Sequence, residues 1–156
     1  MSKLLMISGQ AKASLANKGA LYAMMSEFHL HWERIDVIST GNRWWFNQPK
    51  EEVYFDNVFV HISPWPLWLH WLWIPIRGRQ IIKPTTHNLQ PTTYAVTVQE
   101  YPPFYNGLGA DLLHLSTGLP YMLEIHHIPG FPRAASLKEW LYKWLCRLLL
   151  RLDAMY

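Results

Sequence analysis

The stretch YAVTVQEYPPFYNGLGADLLHLSTGLPYMLEI, residues 94–125, decides the fold. It begins with an apolar strand, YAVTVQE, and ends with a second one, PYMLEI. Between them lies a helix that Asn106 can cap and Gly118 can stop. Strands that are apolar on both faces are typical of a parallel sheet covered by helices. The stretch therefore predicts a strand–helix–strand unit of such a sheet.

The same alternation extends over the rest of the chain. Apolar runs predict strands over 3–8, 34–40 and 57–63, and spacings of three and four predict a helix over 19–31. Residues 9–18 are interpreted as a polar loop, and residues 41–56 as a loop or a small excursion. A capping box of Ser136 and Glu139 opens the clearest helix, whose apolar positions keep the 3.6-residue period to Leu152. Together these elements predict an α/β fold with a Rossmann-like parallel sheet flanked by helices.

Composition limits the class of protein. The chain has 156 residues, of which 50% are hydrophobic and 16% charged, so we expect one folded domain with a core. The net charge is +3 without a block of consecutive Lys or Arg, so no nucleic-acid partner is expected. Cys146 is the only cysteine, which excludes an intramolecular disulfide. No signal peptide or membrane span is apparent, and we expect a cytoplasmic protein, with the inner face of the plasma membrane as an alternative.

Several polar or glycine residues follow the ends of the predicted strands. Gly9 and the loop to Gly19 follow the first strand, Glu100 ends the fourth, and His126 and His127 follow the fifth. Ligands of open α/β sheets sit outside the carboxyl ends of the strands. We therefore expect these residues to converge on one edge as a site for a polar substrate.

Each of these residues also has a structural interpretation. Gly9 and Gly19 could let backbone N–H groups approach a sugar or phosphate, or they could be turn glycines. The Glu100 carboxylate could accept hydrogen bonds from sugar hydroxyls, or it could cap the following turn. The spacing of the glycines is neither a dinucleotide fingerprint nor a P-loop.

The residues after the fifth strand carry the same ambiguity. Neighbouring strand residues point to opposite faces, so only one of His126 and His127 can face a cleft, and no bound metal is expected. That histidine could bind a ligand hydroxyl or phosphate, or could be structural. Arg133 precedes the last helix and could bind an anionic group, or could be solvated.

A tryptophan-rich segment, PWPLWLHWLWIPIRGR, occupies residues 64–79. Tryptophan beside arginine is typical of contact with a membrane interface. The alternatives are a helix buried on the sheet or an interface with another domain. The candidate membrane-contact residues are Trp65, Trp68, Trp71, Trp73, Arg77 and Arg79.

The order of these elements resembles the N-terminal domain of family 4 glycosyltransferases. The similarity lies in KLLMIS with its glycine loop, in YAVTVQE followed by an NGLGA helix, and in TGLPYMLEIHHIPG followed by a Leu- and Arg-rich helix. The family has T-G-x-P before a strand that ends in histidine, as Thr117, Gly118, Pro120 and His126 do here. One departure is Lys18, which stands before Gly19 where the family usually has a second glycine.

The resemblance implies a function that composition does not show. Residues 1–156 would form the acceptor-binding half of a two-domain GT-B enzyme, which transfers a sugar with retention of configuration and without a bound metal. A C-terminal domain, absent from this chain, would bind the nucleotide-sugar donor, so the isolated chain is expected to be inactive. His126 would lie near the donor sugar, and Glu100 matches a position that is often acidic or polar. The acceptor would be a saccharide or a lipid-linked substrate, and family members of the latter kind bind the membrane peripherally.

A second function remains open from the sequence. The chain could be a non-catalytic α/β binding or regulatory domain attached peripherally to a membrane through its tryptophans. A single-domain hydrolase is not expected, because the sequence has no G-x-S-x-G motif and no plausible cysteine nucleophile.

Overall fold

The computed structural model describes residues 2–9, 11–41, 44–82, 93–100, 105–125 and 137–153. At positions 12–14, 93, 138, 146, 149–150 and 152–153 the description covers the backbone only. His126, His127 and Arg133 lie outside the described residues.

One six-stranded sheet organises the protein. Its strands are β1 (Ser2–Ser8), β2 (Arg34–Ser39), β3 (Lys50–Tyr54), β4 (Val58–Ile62), β5 (Thr93–Glu100) and β6 (Tyr121–Ile125). Across the sheet their order is β3-β4-β2-β1-β5-β6. All neighbouring pairs are parallel except β3 and β4, which are antiparallel. The predicted α/β class with a Rossmann-like sheet is confirmed.

The antiparallel edge strand β3 corrects the sequence analysis, which placed a loop there and expected all strands to run the same way. Its sequence, KEEVY, is largely exposed and lacks the apolar character of a parallel strand. It joins β4 by a tight turn in which Phe55 and Asp56 adopt positive φ values of 52° and 64°. Tight turns with positive φ values usually contain glycine, so the sequence FDN at residues 55–57 only weakly predicts a turn between two strands.

The parallel strands without β3 have the doubly wound order. Along the chain they come first to fifth as β1, β2, β4, β5 and β6, and across the sheet they read third, second, first, fourth, fifth. The direction of winding therefore reverses between β1 and β5. Open α/β sheets bind their ligands in the crevice at this switch point, at the carboxyl ends of the strands.

Helices cover the sheet through two buried clusters. The helices are α1 (Ala11–Ala16), α2 (Ala20–Phe28), α3 (His70–Ile82), α4 (Tyr105–Thr117) and α5 (Leu137–Asp153). Leu15, Leu21 and Met25 of α1 and α2 pack in one cluster with β1, β2 and β4. Ile74 of α3 and Leu113 of α4 pack in the other with β1 and β5. The short helix α1 lies in a region predicted as loop, whereas α4 ends as predicted at Gly118, whose φ is +71°.

Candidate functional site

The carboxyl ends of the central strands meet in register. Ser8 at the end of β1 pairs with Gln99 of β5, and Glu100 pairs with Ile125 at the end of β6. The segments that follow β1, β5 and β6 therefore begin at the same edge of the sheet. We call this edge, with Gly9, Thr40, Glu100 and Asn106, the carboxyl rim.

Gly9 lies in a close contact at the rim. The Thr40 hydroxyl donates a hydrogen bond to the carbonyl oxygen of Gly9, and the Asn106 side-chain amide donates to the carbonyl oxygen of Gln99 at 2.8 Å. A Cβ atom on Gly9 would lie 3.4 Å from Nδ2 of Asn106 and 3.6 Å from Cγ2 of Thr40. The chain after β1 is thus held between β2 and the start of α4, with ordinary contact space for one methyl group.

Glu100 is fully buried and is directed toward α4. Its Oε2 atom accepts a hydrogen bond from the backbone N–H of Gly107 in the first turn of that helix. A carboxylate at a helix N-terminus satisfies an otherwise unpaired N–H group and is favoured by the helix dipole. The carboxylate therefore caps the helix, as in the structural interpretation, although it is buried and not at the surface. Its contact with a sugar hydroxyl stays a prediction.

Asn106 was predicted as the residue that caps α4, and this prediction is wrong. The helix already begins at Tyr105, and the Asn106 side chain binds the carbonyl oxygen of Gln99 instead of an N–H group of the helix. Because Glu100 supplies the acceptor for the first turn, Asn106 joins α4 to the end of β5. The sequence contains both residues but does not distinguish which one turns toward the helix.

Gly19 lies farther along the chain than Gly9. It is the N-cap of α2, with an extended backbone (φ −77°, ψ −166°), and its carbonyl oxygen accepts the N–H of Ala23 at 3.2 Å. Lys18 before it has a φ of 51°, in the left-handed region where glycine is usual. The structure thus brings Gly9 and Glu100 together at the rim, while Gly19 begins a separate helix after α1.

No family model, curated protein or solved structure matches this chain. The chain's own residues therefore carry the functional argument. Across the described residues, no helix is long and apolar enough to cross a membrane. In that same part of the chain, no group of three or more His, Cys, Asp or Glu side chains is arranged to hold a metal ion.

A buried ionic network, which the sequence analysis missed, joins β2, β3, β4 and α3. Asp36 accepts two hydrogen bonds from the Arg34 guanidinium, at 2.8 and 2.9 Å, and lies 2.7 Å from Nε2 of His61. On the other side of the imidazole, Nδ1 lies 2.8 Å from Oε2 of Glu51 and 2.9 Å from Nη2 of Arg77. Polar residues inside the apolar runs RIDVIS and VFVHIS were the signal that could have revealed it.

The charge state of this network follows from its contacts. Burial raises the pKa of the Asp36 carboxyl, but the hydrogen bonds from His61 and Arg34 outweigh it and leave that pKa below its ordinary value. Asp36 is therefore ionised, and Nε2 of His61 donates to it. Nδ1 of His61 then either donates to Glu51 or accepts from Arg77, depending on the protonation of the ring.

The tryptophan-rich segment forms a 3-10 turn, Leu67–Leu69, followed by α3. The inner face of α3 is buried through His70, Ile74 and Gly78, as in the alternative of a helix on the sheet. Of the candidate membrane residues, Trp68 and Arg79 are exposed, whereas Trp65, Trp71, Trp73 and Arg77 are half-buried. Membrane contact by this segment stays a prediction.

An exposed aromatic patch lies next to that segment. Trp44, Trp45 and Phe46 have about two thirds or more of their surface exposed, at 68%, 74% and 66%. The backbone N–H of Asn47 donates to the carbonyl oxygen of Pro64 at 2.7 Å and so ties this loop to the start of the tryptophan-rich segment. The loop follows β2 and Pro64 follows β4, so the patch lies on the carboxyl side of the sheet.

His70 is the first residue of α3 and is fully buried. Neither ring nitrogen has a hydrogen-bond partner within the described part of the chain. Burial lowers the pKa of His70 to about 4, so the ring is neutral at physiological pH. A buried polar group without a hydrogen-bond partner lowers the free energy of unfolding, so we expect His70 to destabilise the start of α3.

Proposed function

We propose that this chain is the acceptor-binding part of a retaining glycosyltransferase with two Rossmann-like domains. In this proposal a second domain binds the nucleotide-sugar donor and faces the carboxyl rim. The chain alone would not transfer sugar, because it would supply only one wall of the cleft. The enzyme would act without a bound metal ion.

The observation that carries the proposal is the reversal of strand order between β1 and β5, with Gly9 and Glu100 at that point. A crevice at the switch point is where doubly wound folds bind polar ligands. Gly9 is held between Thr40 and Asn106 at this point, and Glu100 fixes the first turn of α4 beside it. These features support a binding site at the rim, and the resemblance to family 4 glycosyltransferases supports the choice of a sugar acceptor.

The roles of the individual residues follow from this proposal. Gly9 and Gly19 would admit the acceptor to the loops around α1, and Glu100 would support those loops or bind a hydroxyl group. His126 would lie next to the reacting sugar, with His127 and Arg133 contributing polar contacts. Ile125, which immediately precedes His126 in sequence, is in register with Glu100, and this supports the grouping.

The aromatic patch favours a lipid-linked acceptor. Exposed tryptophan and phenylalanine side chains on the carboxyl side of the sheet suit the interfacial region of a bilayer, where amphipathic rings accumulate. A membrane at this position would present a lipid-linked acceptor directly to the rim. The cytoplasmic face of the plasma membrane is the location we propose.

The same patch favours the second candidate, a non-catalytic domain attached peripherally to membrane. Both candidates predict binding to lipid vesicles, and only the glycosyltransferase predicts acceptor binding at the rim. Replacing Trp44 and Trp45 by serine would weaken vesicle binding in either case, so that variant pair does not separate the two.

Amide NMR of the 15N-labelled chain separates them. A short-chain, water-soluble prenyl-linked saccharide should shift the amide signals of Gly9, Glu100 and Gly107, while Gly118 at the other end of α4 should stay unchanged. Nucleotide sugars should shift none of these signals. Absence of rim shifts with the saccharide, together with vesicle binding, would favour the non-catalytic domain, and sugar transfer by the chain alone would contradict the proposal.

A further inference from the structure

The two nitrogen atoms of the His61 ring lie in different surroundings. Nε2 faces Asp36 of β2, and both of these side chains are buried, at 2% and 0% exposure. Nδ1 faces Glu51 of β3 and Arg77 of α3, whose side chains are 44% and 28% exposed. One end of the ring is therefore fixed inside the protein, while the other end meets side chains that reach solvent.

Three polar atoms form a triangle at the outer end of this ring. Nδ1 of His61 lies 2.8 Å from Oε2 of Glu51 and 2.9 Å from Nη2 of Arg77, and Nη2 lies 3.0 Å from Oε2. A guanidinium only donates hydrogen bonds, and a carboxylate only accepts them. Arg77 can therefore bind Glu51 whatever the state of the ring. Nδ1 can bind only one of its two neighbours at a time, because it accepts from Arg77 without a proton and donates to Glu51 with one.

We propose that His61 is a proton-operated switch, which joins β4 to α3 when its ring is neutral and to β3 when its ring is charged. In the neutral ring the proton lies on Nε2, which donates to Asp36, and Nδ1 accepts from Arg77. When Nδ1 takes up a proton from solvent, it loses that acceptor function and donates to Glu51 instead. The charged ring then repels the guanidinium of Arg77.

The charges around the ring make this exchange consequential. Among the described residues, the charged groups that contact the ring or its direct partners are Arg34 and Asp36 of β2, Glu51 of β3 and Arg77 of α3. Two positive and two negative charges balance while the ring is neutral, and a proton on Nδ1 adds one positive charge. Water screens this added charge poorly because the ring is buried. Its effect on Glu51 and Arg77 should therefore be opposite in sign and measurable.

The switch acts on the two elements next to the exposed aromatic patch. The loop with residues 44–46 leads into β3, and Pro64, to which that loop is bound, precedes the tryptophan-rich segment and α3. β3 lies at the end of the sheet order, and Glu51 is the cross-strand partner of His61. A proton on Nδ1 thus strengthens the attachment of this edge strand and weakens that of α3. The switch uses no residue of the carboxyl rim, so the inference is independent of the proposed glycosyltransferase function.

NMR of the 15N-labelled histidine rings tests the protonation step. Spectra at about pH 8 and pH 5 bracket the range in which histidine ordinarily changes charge. For His61 we expect a proton on Nε2 alone at the higher pH and on both nitrogens at the lower pH. Loss of the signals in His61→Gln would assign them, and ring-to-backbone correlations in the wild type give the same assignment if that variant does not fold. A ring that gains no proton on Nδ1, or that carries its single proton there, would overturn the switch.

Amide hydrogen exchange tests the change of partner. The protection factors of residues 50–54 divided by those of residues 77–82 should rise about threefold or more from pH 8 to pH 5, because β3 gains a hydrogen bond to the ring and α3 loses one. Burial lowers the pKa of His70 to about 4, so that ring stays largely neutral in this range and does not perturb α3.

Two pairs of variants locate the response. Glu51→Ala should remove the pH response of β3, and Arg77→Ala should remove that of α3. As matched controls, Lys50→Ala on the same strand and Arg79→Ala on the same helix, both at exposed positions, should retain both responses. An unchanged or falling ratio in the wild type while the ring gains its proton would overturn the inference. A response that persists in both Glu51→Ala and Arg77→Ala would overturn it as well.

Discussion

Nε2 of His61 lies 2.7 Å from Oδ1 of Asp36, and both side chains are almost fully buried between the sheet and α3. Removing one partner of a buried ion pair leaves the other charges without compensation. We therefore predict that Asp36→Ala lowers the free energy of unfolding by about 3–5 kcal/mol, measured by urea denaturation at neutral pH. The guanidinium of Arg34, stacked over Phe59 at 4.0 Å, would lose its carboxylate in this variant.

An exposed ion pair serves as the control for that substitution. Lys50 and Glu52 lie 3.0 Å apart, and the Lys50 side chain is 62% exposed. Lys50→Ala should change stability by less than about 1 kcal/mol because surface pairs contribute little. Equal effects of Asp36→Ala and Lys50→Ala would mean that the network does not stabilise the fold.

Lowering the pH should reduce the free energy of unfolding because the buried His70 ring resists protonation in the folded protein. Burial lowers its pKa to about 4 in the folded protein, below the ordinary histidine value of 6.5. Between these values the unfolded chain binds more protons than the folded one, so stability rises with pH across this window and is level above it. A shift of this size corresponds to a loss on the order of 3 kcal/mol when the pH falls from 7 to 4.

The variant His70→Leu isolates this contribution. It removes both the titration and the unpaired ring nitrogens, so denaturation midpoints should depend less on pH between 4 and 6.5 than in the wild type. At pH 7 the variant should be as stable as the wild type or more so, because no hydrogen bond is lost. His31→Gln, at an exposed position, should retain the wild-type pH dependence. A large loss of stability in His70→Leu at pH 7 would reveal a hydrogen-bond partner of this ring.

The contact between α3 and α4 depends on two glycines in different ways. A Cβ atom on Gly109 would lie 2.5 Å from Cδ1 of Ile74 and 2.9 Å from the backbone oxygen of Trp71. A Cβ atom on Gly78 would lie nearest to the Leu113 side chain, 2.8 Å from its Cδ2 atom. Backbone cannot move aside as a flexible side chain can.

Alanine substitutions should therefore differ in thermal denaturation. Gly109→Ala should destabilise by about 1–2 kcal/mol even after the higher helix propensity of alanine is included. Gly78→Ala should stay within about 0.5 kcal/mol of the wild type, because Leu113 can shift while the helix gains propensity. The reverse order of the two variants would contradict the packing described for these helices.

Periodicity predicted the architecture because most strands and helices have a clear pattern of apolar residues. The apolar runs of β1, β2, β4 and β5 and the spacing in α2 follow from burial on one or both faces. β6 and α5 were predicted from the same kind of pattern, although much of the apolar surface of both is exposed. The edge strand β3 escaped prediction because it is largely exposed and polar, and its turn uses Phe55 and Asp56 where glycine is usual.

The site was less predictable than the fold. The rule for strand ends placed Gly9 and Glu100 together, but rotation of a side chain decides whether Glu100 meets a ligand or caps α4. Thr40 and Asn106 join the rim through contacts between residues far apart in sequence. A local sequence pattern does not predict contacts between residues far apart in the chain. The pairing of Asp36 with His61 was missed for the same reason.

The most direct test of the central claim is acceptor affinity at the carboxyl rim. Gly9→Ala adds a methyl group at ordinary contact distance from Asn106 and Thr40, so it should leave stability within about 1 kcal/mol. In the proposal, added bulk at this point of the rim weakens acceptor binding. We predict that both Gly9→Ala and His126→Ala raise the dissociation constant of a prenyl-linked saccharide about tenfold or more, measured by calorimetry. Leu115→Ala, at an exposed position in the last turn of α4, should bind like the wild type. Wild-type affinity in both Gly9→Ala and His126→Ala would contradict the assignment of this edge as the acceptor site.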